Sequence, residues 1–171
     1  MINKTRQDIP LTTKVVEVKI HNDCFATIWL KGKIDISPGQ FIMVWLPGVE
    51  EKPFAVTKIE PEKFSITVMK RGEFTNAIFN LKVGDIIGWR GPYGNGFNID
   101  DSENVCIVAG GIGMAALSLL YQELKKQNKN VKLIYGAKDC HGLIFKEIIS
   151  EINTCEDMCI CTDDGSEGEK A

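Results

Sequence analysis

The sequence predicts two units in series: a small antiparallel β-barrel, then an incomplete doubly wound parallel α/β domain. Three observations predict it. Six β-type segments at turn-punctuated spacing fill the first part of the chain. The acidic stretch Asn98-Ile-Asp-Asp-Ser-Glu-Asn104 then interrupts the apolar pattern, as a linker does. Beyond it, short β-branched runs alternate with helix-forming segments, the texture of βαβ units. The expected domains are residues 1–99 and 100–171.

In the first domain, Lys14-Val-Val-Glu-Val-Lys-Ile20 alternates apolar and polar residues, as a half-buried strand does. Cys24-Phe-Ala-Thr-Ile-Trp-Leu30 follows a His-Asn-Asp turn, and Phe41-Ile-Met-Val-Trp-Leu46 follows the turn Ile36-Ser-Pro-Gly-Gln40. Pro47-Gly48 breaks that strand, and Val49-Glu-Glu-Lys52 reads as polar connection. Strands resume at Pro53–Ile59 and Lys63–Arg71. A short helix is expected over Glu73–Phe79, and the turn Gly84-Asp85 leads into Ile86–Arg90. His21 and His141 sit in polar turns and read as ordinary surface residues.

In the second domain, Val105–Ala109 reads as a strand, Met114–Asn128 as a helix and Val131–Tyr135 as a strand. Gly142–Ile152 reads as a second helix and Met158–Thr162 as a third strand. Between the first strand and helix lie Gly110, Gly111 and Gly113. Strand, glycine turn and helix present backbone N–H groups and a helix N-terminus to a phosphate. Glycine turns at such junctions also serve packing, and the motif alone leaves both readings open. A three-stranded sheet exposes an edge and part of an apolar face, so a further segment or a second copy of the chain is expected to cover it.

Of the 171 residues, 44% are apolar and 25% charged, with a formal net charge of −3. There is no basic field for nucleic acid. The polar N-terminus lacks a signal-peptide core, and the glycine-interrupted apolar run at 105–121 is no membrane span, so a cytoplasmic protein is expected. The six cysteines then read as reduced thiols. Cys155, Cys159 and Cys161 have neither zinc nor iron–sulfur spacing, and structural roles are expected for them.

The layout of barrel and glycine-loop domain resembles the ferredoxin-NADP reductase superfamily, whose barrel binds a flavin and whose second domain binds a nicotinamide nucleotide. Three motifs narrow the resemblance to the electron-transfer subunits of dihydroorotate dehydrogenase B. They are Gly91-Pro-Tyr-Gly-Asn-Gly-Phe97, Gly110-Gly-Ile-Gly-Met-Ala-Ala-Leu117 and Thr162-Asp-Asp-Gly-Ser166. The resemblance implies FAD and NAD(H) as cofactors and hydride transfer from NADH to flavin. It implies a partner catalytic dihydroorotate dehydrogenase in pyrimidine biosynthesis. The family's [2Fe–2S] cysteine segment is not among these residues. The chemistry belongs to the flavin, so no catalytic side-chain acid or base is nominated.

The resemblance also assigns site residues. Lys52, Pro53, Phe54 and Ala55 match the family's R-x-[YF]-[ST] flavin signature. Lys52 keeps the charge of the family arginine without its fork, and Ala55 replaces the family hydroxyl. The resemblance implies that Phe54 lies against the flavin, while position alone equally suits barrel core. Met69, Lys70, Gly72 and Thr75 match the segment that meets the FAD pyrophosphate. Gly110, Gly111, Gly113 and Met114 match the NAD loop. Asp164, beside Asp163, implies NADH rather than NADPH, because carboxylates there repel a 2′-phosphate. Two other readings stand beside this one: a sister reductase subunit associated with hydrogenase or glutamate synthase, and a non-catalytic nucleotide- or partner-binding remnant.

Overall fold

The computed structural model describes residues 9–98, 102–146 and 158–170. The chain divides into two compact units, Met1–Gly96 and Phe97–Ala171.

The first unit is a closed six-stranded barrel. Its strands are β1 (Leu11–Ile20), β2 (Phe25–Lys31), β3 (Phe41–Leu46), β4 (Glu50–Glu60), β5 (Lys63–Met69) and β6 (Ile86–Tyr93), in the order β1-β2-β5-β4-β3-β6. Every neighbouring pair is antiparallel. The alternation read from the sequence is the inside–outside alternation of the barrel: in β3, Ile42, Val44 and Leu46 are buried, and Phe41, Met43 and Trp45 are half-buried. The interior is filled by Ile28, Leu30, Val44, Phe64, Ile66 and Ile87. Phe64 meets Trp89 edge-on at 5.3 Å between ring centroids.

β2 and β5 are buried on both faces, which plain alternation does not anticipate. One face is a ladder of hydroxyls. Thr27 Oγ1 lies 2.9 Å from Thr67 Oγ1, which lies 3.1 Å from Thr57 Oγ1; the Thr57 hydroxyl is also placed to donate to the Ser65 carbonyl. Mutual hydrogen bonds let these threonines be buried at low cost. His21 heads the ladder, its Nε2 2.8 Å from Thr27 Oγ1. It is therefore a partnered, half-buried residue rather than an ordinary surface one.

The polar stretch read as a connection at Val49–Lys52 is, from Glu50 onward, the start of β4. It pairs with Val44–Leu46 of β3, and the charged side chain of Glu51 has a partner two strands away. Glu51 accepts Arg90 Nε at 2.7 Å and Nη2 at 2.6 Å, a bidentate pair reaching across β3. Hydrogen bonds from Arg90, then its charge, hold the Glu51 carboxyl below the usual carboxylate range against the opposing effect of burial. The folded value lies under the unfolded one. The contribution is therefore complete above the unfolded value of about 4.3 and is lost as pH falls through the folded value. Glu51→Gln is expected to be less stable than the parent near neutrality, with the gap closing towards pH ~3. A gap that stays constant in acid unfolding curves would remove the ion pair as its cause.

The helix α1 (Glu73–Phe79) follows β5 and buries Phe74 and Ile78.

The second unit holds β7 (Asn104–Gly110), a 3₁₀ turn over Gly111–Gly113, α2 (Met114–Lys126) and β8 (Asn130–Ala137). A second 3₁₀ turn over Cys140–Gly142, then β9 (Met158–Thr162) and β10 (Glu169–Lys170), follow. The sheet is parallel throughout, in the order β10-β9-β8-β7. The order β9-β8-β7 is one half of a doubly wound sheet, in which β7 would be central. Here, among the described residues, β7 is an edge, and Val108 on it is 66% exposed. The core lies on the α2 side: Ile107, Ala109, Met114, Tyr121, Leu124, Val131, Leu133 and Tyr135 pack with Leu143 and Phe145.

One expectation changes in this unit, and another lies largely outside the described residues. Among the described residues the sheet has four strands rather than three, because the chain turns back after Thr162 and adds β10. A parallel addition after so short a loop is unusual. It is made possible by Gly165 and Gly168, at φ 72° and 68°. The helix expected over Gly142–Ile152 falls largely outside the described residues; Gly142 itself ends the 3₁₀ turn. No helix among the described residues is long and apolar enough to cross a membrane.

Candidate functional site

The first of the barrel's candidate segments, Lys52–Ala55, lies on an overhang. β4 pairs with β3 from Glu50 to Ala55 but meets β5 only from Val56 onward. Pro53 has no N–H to give a second neighbour, so it sits on the part of β4 that overhangs β5. α1 packs beside this overhang: Phe54 stacks on Phe74, with ring centroids 5.9 Å apart and planes at 25°. That contact joins the two expected flavin segments, Lys52–Ala55 and Met69–Thr75. Phe54 is half-buried, with its ring on α1. Ala55 is half-buried opposite Phe41, whose ring packs on Tyr93 at 5.9 Å.

The charges and hydroxyl of this site already have partners. Lys52 Nζ is 2.6 Å from Glu50 Oε1. Lys70 Nζ lies 5.4 Å from the Phe79 ring centroid. The Thr75 hydroxyl accepts the N–H groups of Arg71 and Gly72 at 2.8 and 3.0 Å and is placed to donate to the Gly72 carbonyl. It caps the start of α1 and shapes the turn rather than pointing away from it. Met69 ends β5 opposite Phe25. Gly72 has an extended backbone, and a Cβ built there meets nothing within 4 Å.

In the second unit, the loops at the carboxyl ends of β7, β8 and β9 converge. This is the end of a parallel sheet where ligands bind. Among the described residues, a Cβ built on Gly110, Gly111 or Gly113 meets nothing within 4 Å, so packing against those residues does not account for these glycines. Only Gly111, at φ 48°, is in the left-handed region. Met114 contributes differently: its side chain is fully buried, and its N–H turns back to the carbonyls of Gly111 and Ile112.

The Asp-Asp-Gly-Ser turn folds onto the β8 loop. Asp163 and Asp164 donate their N–H groups to the carbonyls of Ala137 and Lys138, at 3.1 and 3.3 Å. Cys140 N–H donates to Ser166 Oγ at 2.9 Å, and Ser166 N–H donates to Asp164 Oδ1 at 2.9 Å. Ser166, by side chain and then backbone, lowers the Asp164 pKa and keeps the carboxylate charged. Lys146 pairs with Glu167, whose N–H donates to Thr162 Oγ1 at 3.1 Å.

Three residues of this site were not singled out from sequence. Asp139 caps the 3₁₀ turn by accepting the Gly142 N–H at 3.1 Å. Ser166 bridges two loops, and Tyr135 reaches two loop carbonyls. Asp139 carries a usable signal as a capping-type residue three positions before Gly142, and Ser166 carries one as the last residue of the Thr162–Ser166 motif.

Cys24 and Cys106 are exposed, and Cys140, Cys159 and Cys161 half-buried, all as free thiols; Cys155 lies outside the described residues. Among the described residues no group of three His, Cys, Asp or Glu is placed to hold a metal ion.

No protein-family model matches the chain. Among curated proteins it is 40% identical over 161 residues to the probable dihydroorotate dehydrogenase B (NAD(+)) electron transfer subunit of Methanocaldococcus jannaschii, covering 94% of this chain and 60% of that one. The subunit of the same name from Pyrococcus horikoshii is 45% identical over 138 residues, covering 81% of this chain and 52% of that one. The chain thus spans little more than half the length of these relatives. Among solved structures, an NADH-dependent reduced ferredoxin-NADP oxidoreductase studied for flavin-based electron bifurcation superposes with a TM-score of 0.80 at 27% identity. That match covers 92% of this chain and 59% of that one. Over the length it spans, the chain is a homologue of the electron-transfer subunits of dihydroorotate dehydrogenase B, built on the ferredoxin-NADP reductase fold.

Proposed function

We propose that these residues form the flavin- and nicotinamide-binding part of an electron-transfer subunit that passes reducing equivalents from NADH to a partner dihydroorotate dehydrogenase. The observation that carries the reading is the glycine loop after β7. It stands at the ligand end of a parallel sheet, and its glycines leave open space that packing among the described residues does not require. The names of the relatives supply the reaction partner.

The residues present fit FAD. Open space at Gly72 leaves room for a pyrophosphate to approach the backbone, and Phe54 supplies an aromatic wall beside α1. Lys52 supplies positive charge, which a pyrophosphate would draw away from Glu50. Bound FAD would supply the conversion of a two-electron donor into single electrons. The chain's own part is to grip phosphates, to stack and to exclude water. The Gly110–Gly113 loop would receive the nicotinamide nucleotide's phosphates. The charged Asp163–Asp164 pair disfavours a 2′-phosphate and so favours NADH.

The visible spectrum of the purified protein, before and after anaerobic NADH, tests this. A flavin spectrum that bleaches with NADH and far less with NADPH is the expected result. A colourless protein that takes up no added FAD would end the flavin reading. A second reading, a reductase subunit serving another acceptor, is favoured by the match to the NADH-dependent ferredoxin-NADP oxidoreductase. Reduction of ferredoxin, without coupling to dihydroorotate in the presence of the catalytic subunit, would select it.

A further inference from the structure

Tyr135 sits in β8 directly opposite Ala109 of β7, one residue before the glycine loop begins. Its ring is fully buried and packs edge-on against Phe145, with centroids 6.3 Å apart. A phenylalanine would fill that volume equally well. The hydroxyl is the part that packing does not explain, and a buried hydroxyl needs partners. Its partners are two loop carbonyls, Gly142 O at 3.1 Å and Gly111 O at 3.4 Å. One hydrogen shared between two acceptors is a three-centre bond, individually long but joining two chain segments. Gly111 is the left-handed residue of the glycine loop. Gly142 closes the turn that carries Cys140, which is bonded to Ser166.

We propose that Tyr135 is a positioning residue for the nicotinamide nucleotide: its hydroxyl latches the glycine loop after β7 to the turn after β8, and through Cys140–Ser166 to the Asp-Asp-Gly-Ser turn after β9. The inference rests on the reading of the glycine loop as the nucleotide site. The three loops then hold one arrangement before a ligand arrives, and binding does not have to order them. Burial pushes the Tyr135 hydroxyl up to about 12, against weaker opposition from the Phe145 and Ile144 backbone, so it remains a donor throughout the working range of pH.

The test uses Tyr135→Phe and Phe145→Leu in the full chain. NADH binding is followed by fluorescence titration, and amide hydrogen exchange is followed without ligand. Tyr135→Phe is expected to weaken NADH binding about 3–10-fold, the worth of one net hydrogen bond. It should also speed exchange at Ile112–Met114 and Leu143, with FAD absorbance and the amides of β8 unchanged. Phe145→Leu keeps the hydroxyl contacts while loosening the core, so it should lower stability and leave the NADH dissociation constant alone. A Tyr135→Phe protein with parental affinity and parental loop exchange would overturn the latch. If the parent itself binds no NADH, the nucleotide reading fails on its own, and the exchange comparison still decides whether the hydroxyl holds the loops.

Discussion

Phe64→Ala is expected to destabilise the barrel by about 3–5 kcal/mol. Phe64 is fully buried at the centre of the barrel and rests edge-on against Trp89. Truncation removes its apolar transfer energy and leaves a void. A closed barrel collapses poorly onto such a void because every strand is hydrogen-bonded on both sides. The measurement is unusually clean. All three tryptophans, Trp29, Trp45 and Trp89, lie in barrel strands, so tryptophan-detected urea unfolding reports this unit alone. FAD uptake should weaken in step, because Phe54 and Gly72 depend on the same barrel for their separation. A loss below about 1 kcal/mol would mean that Trp89 and its neighbours relax into the space, contrary to a rigid interior.

Gly168→Ala should have the next largest effect, through a different mechanism. A Cβ at Gly168 would stand 2.1 Å from the Ile160 carbonyl oxygen. That neighbour is backbone inside β9, so no rotamer change relieves the clash. The residue also sits at φ 68°, where a side chain costs a further ~1–2 kcal/mol. With overpacking of about 1–3 kcal/mol the sum is about 2–5 kcal/mol. The two-residue β10 cannot carry such strain and is expected to peel from β9. The Lys146–Glu167 pair and the Ser166–Cys140 bond should loosen with it. Faster exchange at the Cys140 and Glu167 amides, with β7 and β8 protected as before, is the expected signature. Parental protection at both amides would show that the turn accommodates the methyl group.

Much of the fold was legible in the sequence because it rests on local chemistry. Alternation in Lys14–Ile20 and Phe41–Leu46 marks strands with one face inside, and β-branched runs after the linker mark a parallel sheet. The start of β4 was not legible. Glu50–Lys52 looks like a loop, but it pairs with Val44–Leu46 of β3, and Glu51 takes its side-chain partner from Arg90, distant in sequence. His21 failed for the same reason, since its partner belongs to a threonine ladder that forms when β2 meets β5. β10 has no apolar residue and depends on two left-handed glycines. At the site, the glycine loop and the Asp-Asp-Gly-Ser turn were readable as motifs. Tyr135 was not, because an apolar pattern records its ring and is blind to its hydroxyl. Thr75 matches a ligand motif in sequence, and the part its oxygen plays in the turn before α1 is visible only in the fold.

The barrel's closing seam has a consequence for the order in which the chain acquires structure. β2 pairs with β1, and β4 with β5, across short turns, so these hairpins form from neighbouring segments. The seam between β1 and β6 instead joins Leu11 to Trp89, across nearly the whole barrel sequence. Its loop-closure entropy must be met before any of its contacts reward it. β7, α2 and β8 make a compact neighbourhood in sequence with no comparable span. A chain emerging from the ribosome should therefore keep an open, unsealed curl of strands until β6 is available. The sealing of that seam, rather than the formation of the β1–β2 and β4–β5 hairpins, is expected to set the refolding rate seen by tryptophan fluorescence.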